Sequence, residues 1–160
     1  MNTLKTYKMF RVKNGNLYPM FVDANTSMPV GEWLEAKVGD KADETHVKSR
    51  LGKLSLRPGF HSTFVPFTDW IGKKAEDGTL LQRSDTVWCE CEVRGEEVKV
   101  TSRYGLRTLP EGFYFFRTNA KQKDPWIISR ELRIARVLTP DEVDAICEAN
   151  GIKAQKREAA

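Results

Sequence analysis

Two histidines occur in the 160 residues, and one of them, His61, stands in the segment Arg57-Pro58-Gly59-Phe60-His61-Ser62-Thr63. Glycine lets a backbone approach a ligand closely, and an imidazole beside two hydroxyls brings donors and acceptors to one place. The same segment also suits a structural turn in which Ser62 or Thr63 satisfies nearby backbone groups. His46 falls in a polar stretch and reads as a solvated surface residue. Glu90-Cys91-Glu92 offers paired carboxylates two residues apart, which share one face of a strand. Ser62 and His61 are strand neighbours and point apart, so the pair is poorly placed for nucleophile activation.

The three cysteines, Cys89, Cys91 and Cys147, are odd in number, and the first two lie on one strand face with parallel side chains. Buried free thiols are the simpler expectation. Cys-x-Cys with a distant histidine lacks the second ligand pair of a structural zinc site, so no metal is expected. Neither a Walker loop nor a Gly-x-Gly-x-x-Gly segment is present, which removes the usual phosphate cradles.

Nucleic acid is the competing ligand class. Lys48, Arg50, Lys53 and Arg57 fall close together, and Lys121, Lys123, Arg130, Arg133 and Arg136 make a second basic group. Strand aromatics such as Tyr114 and Phe116 would stack exposed bases. The balance of 26 Lys and Arg against 22 Asp and Glu gives only +4, and charge at that level usually marks a solvated surface.

These residues need elements to hold them. Tyr7 to Lys13 is rich in β-formers, Asn14-Gly15 supplies two positive-φ turn residues, and Asn16 to Val22 returns as a hairpin, with Pro19 marking an edge. Gly31 to Ala36 reads as a short strand or arm, Gly39 to Arg50 as a mobile polar loop, and Thr68 to Ile71 as a helical turn. Asp77-Gly78 marks a further turn. Asp85 to Arg94 alternates, with Val87, Cys89, Cys91 and Val93 on a core face and Trp88, Glu90 and Glu92 opposite. Val98 to Ser102 should pair with it across Gly95-Glu96-Glu97. Gly112 to Arg117 and Glu131 to Leu138 read as strands. Thr139-Pro140-Asp141-Glu142 starts a helix with a capping box, and Asn150-Gly151 stops it.

The expected fold is therefore α+β: one domain over 1–152 with about six short, mostly antiparallel strands in a curved sheet and a C-terminal helix. Residues 153–160 read as a flexible basic tail. With 40% apolar and 30% charged residues the composition is that of a globular chain, not of a disordered polyelectrolyte. No window is apolar enough to span a bilayer and the N-terminus carries no leader-like segment. A cytoplasmic protein without membrane contact is the expectation.

Two resemblances add to this. The stretches Tyr7-Lys8-Met9-Phe10-Arg11-Val12, Pro29-Val30-Gly31-Glu32-Trp33-Leu34, Arg57-Pro58-Gly59-Phe60-His61 and Val87-Trp88-Cys89-Glu90 resemble small proteins encoded by gut-bacterial phages and other mobile elements. That likeness implies a host-cell setting and not an activity; a non-enzymatic inhibitor that binds a host protein is one form it takes. Separately, Arg11, then Ser62-Thr63, then Glu90-Cys91-Glu92 resembles the Arg…Ser-Thr…Glu-x-Glu layout of ADP-ribosyltransferases. That resemblance implies an NAD site held by Arg11 and the hydroxyls, with Glu92 organising the ribose and acceptor. His61 would assist or replace the arginine, and Trp88 or Tyr114 would stack on nicotinamide. The chemistry is coherent, since phosphates suit a guanidinium fork and a carboxylate stabilises the cation formed when the nicotinamide bond breaks. A cleft for a nucleotide-type, NAD-like ligand near His61, Arg57 and Arg11 is the most concrete expectation.

Overall fold

In a computed structural model describing residues 3–159, the chain is built mostly of strands: β1 (Thr3–Lys13), β2 (Asn16–Tyr18), β3 (Trp33–Glu35), β4 (Lys41–Asp43), β5 (His46–Ser49), β6 (Gly52–Ser55), β7 (Phe60–Ser62), β8 (Lys73–Lys74), β9 (Leu80–Leu81), β10 (Thr86–Arg94), β11 (Phe113–Phe116), β12 (Trp126–Ser129) and β13 (Glu131–Val137). A single described helix follows, α1 (Pro140–Ala149). The molecule is a small β-rich fold, with more β than an α+β description allows. The main sheet is antiparallel, in the order β2-β1-β10-β13-β3. A second sheet, β11-β12-β7, packs its Phe60 and Ile127 onto the first through a core that includes Phe10, Cys89, Cys91, Val93 and Ile134.

Local chemistry explains most elements. Asn14 and Gly15 hold φ of 51° and 78°, as a tight hairpin needs. Pro19, which has no N–H to donate, ends β2 at Tyr18. Helix α1 carries the expected capping box, with the Thr139 hydroxyl accepting from the Glu142 N–H and the Glu142 carboxylate accepting from the Thr139 N–H. It covers Tyr7, Met9 and Trp88 with Val143 and Cys147.

Four expectations need correction. Gly39–Arg50 is no open loop, because Lys41–Asp43 pairs with His46–Ser49, which pairs in turn with β6 in a small three-stranded sheet. Thr68–Ile71 forms bends instead of a helical turn, with the Thr68 hydroxyl accepting from the Trp70 N–H. The segment after Gly95 turns away from β10, whose neighbours are β1 and β13, and bonds to β11 through the Val98 N–H and the Phe113 carbonyl. The C-terminal residues are docked: the Gln82 N–H donates to the Lys156 carbonyl, the Glu158 N–H donates to the Gln82 carbonyl, and Arg157 grips the Asp144 carboxylate. Met1, Asn2 and Ala160 lie outside the described residues.

One irregularity interrupts the edge of β1. Tyr7 and Thr63 exchange both backbone hydrogen bonds, at 2.7 and 2.8 Å, and so begin a ladder between β1 and β7. The next pair due in an antiparallel ladder, Met9 with His61, does not form. The two strands splay apart at that step.

Candidate functional site

The splay opens into a groove of about 380 Å³, walled by β1, by the chain after β2, by the β5–β6 hairpin and by the Arg57–His61 segment. That volume lies in the range of small-molecule sites. Its wall is largely apolar and aromatic, including Met20, Phe21, Phe60, Trp88 and Trp126.

Lys8 is the residue on which the groove turns. The register of β1 against β10 sets Thr6, Lys8 and Phe10 opposite Cys91, Cys89 and Val87, and directly opposed residues share a face. Lys8 therefore projects from the core side of the sheet, where its stem runs among apolar neighbours. Its ammonium donates to the His61 carbonyl oxygen at 2.8 Å, the acceptor that the unfinished ladder leaves over, and makes no ion pair among the described residues. Lys8 and His61 are both half-buried and line the groove. Burial brings the amine down to about 8 from the ordinary 10.5, only slightly opposed by the Cys91 thiol across the strand pair. An ammonium has three donors, so a cation with spare bonding capacity faces the groove.

His61 is held by the turn before it. Its Nδ1 lies 3.2 Å from the Gly59 carbonyl oxygen, which only accepts, so Nδ1 carries the proton and Nε2 the lone pair. Burial, then the Lys8 and Arg57 charges, push the imidazole down to about 3, which keeps it neutral at ordinary pH. The ring meets Trp126 edge-on at 6.1 Å. Gly59 holds φ of 131°, and a Cβ there would stand 2.7 Å from Ile128 Cγ2, so glycine is what lets this turn pass against β12. Arg57 lines the groove as well, its guanidinium 4.0 Å from the Phe116 ring centroid and its Nε donating to the Tyr104 carbonyl.

Of the residues singled out in the sequence, His61, Arg57, Thr63 and Trp88 meet at the groove. Thr63 serves the bridge, its hydroxyl 2.6 Å from the Val65 carbonyl, to which it donates, and 3.1 Å from the Tyr7 carbonyl. Five others lie elsewhere. Ser62 is fully buried facing the Ile127 carbonyl. Tyr114 is fully buried, its hydroxyl accepting from the Leu106 N–H, and presents no open ring face. Arg11 binds the carbonyls of Pro19 and Ala24, so it ties down the chain that forms one groove wall. Glu90 pairs with Lys5 and Arg136, and Glu92 with Arg133, on the opposite face of the main sheet from Lys8. Several basic residues expected to form a cationic surface are likewise engaged, Lys53 with Asp43 and Arg130 with Glu35.

Sequence reasoning passed over Lys8 because a lysine on a strand ordinarily faces water. The signal was present: Val87, Cys89, Cys91 and Val93 define a core face, and pairing β1 with that strand puts a lysine on it. Among the described residues no three His, Cys, Asp or Glu side chains gather as a metal site, and no helix is long and apolar enough to cross a membrane. No family model, no curated protein and no solved structure matches the chain.

Proposed function

We propose that this chain is a ligand-binding protein of a phage or other mobile element, and that its groove takes a small anionic molecule with a flat apolar body, nucleotide-type (NAD-like) ligands among them. The observation that carries the reading is the unpaired Lys8 ammonium in the wall of an aromatic groove. A buried cation without a counter-ion costs stability, and an incoming carboxylate or phosphate relieves that cost with a charge-assisted hydrogen bond. Arg57 at the same wall supplies a second cation, and the aromatic side chains suit a planar ring. ADP-ribosyl transfer is a narrower form of this reading, and it draws no support from Glu90 and Glu92, whose carboxylates are held by arginines away from the groove.

Calorimetry with NAD, mononucleotides and aromatic carboxylates tests it. At least one class should bind the wild type, and Lys8→Met should weaken that binding about 10- to 100-fold, the worth of a hydrogen bond to a charged group. If none of the three binds even at millimolar concentration, the reading fails.

A second reading rests on a different surface. Tyr104 is 49% exposed, with the guanidinium groups of Arg103 and Arg107 at 4.7 and 5.6 Å from its ring centroid, an aromatic flanked by cations as single-strand binders use. Nucleic-acid binding there would weaken steeply with salt and would be lost in an Arg103→Ala, Arg107→Ala double variant; retention independent of salt counts against it.

A further inference from the structure

We propose that Lys8 is a covalent site: its amine condenses with an aldehyde or ketone on the ligand to form an imine inside the groove. This rests on the reading of the groove as a ligand site and names the reactive class of ligand it takes.

Geometry supports the assignment. Lys8 lines the cavity; its Nζ donates to the His61 carbonyl and stands 5.8 Å from the Phe10 ring centroid, with no carboxylate holding it as an ammonium. Lys37 also borders the groove, but its side chain is 66% exposed and pairs with the Asp23 carboxylate at 3.9 Å. Desolvation brings the Lys8 amine down to about 8, so a large share of it is the free base in mildly alkaline water. The neutral His61 imidazole adds no competing positive charge.

The balance is simple. The free amine nitrogen adds to the carbonyl carbon, and the carbonyl oxygen takes up a proton as the nitrogen gives one up, leaving a carbinolamine. Loss of the hydroxyl as water, with the second amine proton, gives the C=N bond. One amine and one carbonyl become one imine and one water, with no oxidant or reductant. The aromatic wall limits the water that would reverse the step. With the nitrogen so used, Arg57 remains as the partner for an anionic group on the same ligand, and the expected ligand is a flat carbonyl compound bearing one carboxylate or phosphate.

The test uses the full chain with 4-formylbenzoate as probe and sodium cyanoborohydride to trap the imine at pH 8, followed by peptide mass spectrometry. Lys8 should label at least about tenfold faster than Lys37 and the other lysines, since near pH 8 most surface amines stay protonated. Excess benzoate should slow labelling at Lys8 and leave Lys99, which is 87% exposed and outside the groove lining, unaffected. Lys8→Arg, which has no nucleophilic amine, should lose the fast adduct, while the slow labelling of the exposed lysines should match that of the wild type. Labelling of Lys8 no faster than that of surface lysines overturns the inference. If benzoate binds but Lys8 stays unlabelled, the covalent step fails and the binding reading stands; if there is neither binding nor labelling, both fail.

Discussion

Lys8 and His61 occupy the same wall with opposite consequences for the charge they carry. Lys8 is destabilising as an ammonium, because the folded chain strips water from it and returns one carbonyl hydrogen bond and the Phe10 ring at 5.8 Å. Lys8→Met should therefore raise stability at pH 7 by about 1–3 kcal/mol, even as it weakens ligand binding. The pH dependence has a definite sign. The folded amine titrates near 8 and the unfolded one near 10.5, so the unfolded chain holds the extra proton between those values and the wild type gains stability as pH rises through them. Denaturant melts of both proteins from pH 7 to 10.5 should show the variant's advantage shrinking across that window; a constant or widening gap contradicts the buried position. His61 is the converse experiment. With a folded pKa of about 3 it should remain neutral, with its proton on Nδ1, in nitrogen-edited NMR spectra at pH 5, where a free histidine is mostly protonated. An imidazolium signal at pH 5 would show the ring open to water.

At the scale of elements, the turn into β7 decides whether the site exists. Gly59→Ala adds a Cβ against Ile128 and the Ser129 carbonyl at a φ that alanine avoids, and should cost about 2 kcal/mol or more, measured by denaturant unfolding. A change below about 0.5 kcal/mol would mean that the turn has room the structure denies it. The elements differ in how far the sequence announced them. The Asn14-Gly15 hairpin, the alternating β10 and the capped helix are local events, each encoded in a few adjacent residues. β12 was missed because Trp126-Ile127-Ile128-Ser129 is buried on both faces and so carries no alternation. The pairing of the segment after Gly95 was misjudged for another reason: a strand's partner is chosen across the fold, and β10 had better ones in β1 and β13. The candidate site was half legible. The glycine-histidine turn is local and could be read, whereas Lys8 acquires its meaning only from a strand register some eighty residues distant in sequence. The Glu-x-Glu pair read plausibly as chemistry, but its partners Arg133 and Arg136 come from β13 and hold it as structure.

For the molecule as a whole, the docked C-terminal stretch closes a face that the helix alone leaves open. Ile152 and Ala154 pack with Trp88, Leu138 and Val143, Lys73 pairs with Glu158 at 2.8 Å, and Gln155 reaches the Ile71 carbonyl. Removing residues 153–160 should cost about 2 kcal/mol and lower Tm by roughly 4–8 °C, read by thermal unfolding monitored at the tryptophans. An unchanged Tm would show the stretch to be dispensable. Within the same molecule, the lone pair of backbone bonds between Tyr7 and Thr63 sets the two sheets at a fixed distance on one side only. Had the zipper closed by a single further rung, the amine of Lys8 would have no carbonyl to hold and the hollow beside it would be filled by main chain. The charged side chain acts as a doorstop in that seam, and so the vacancy is inseparable from the lysine that props it open.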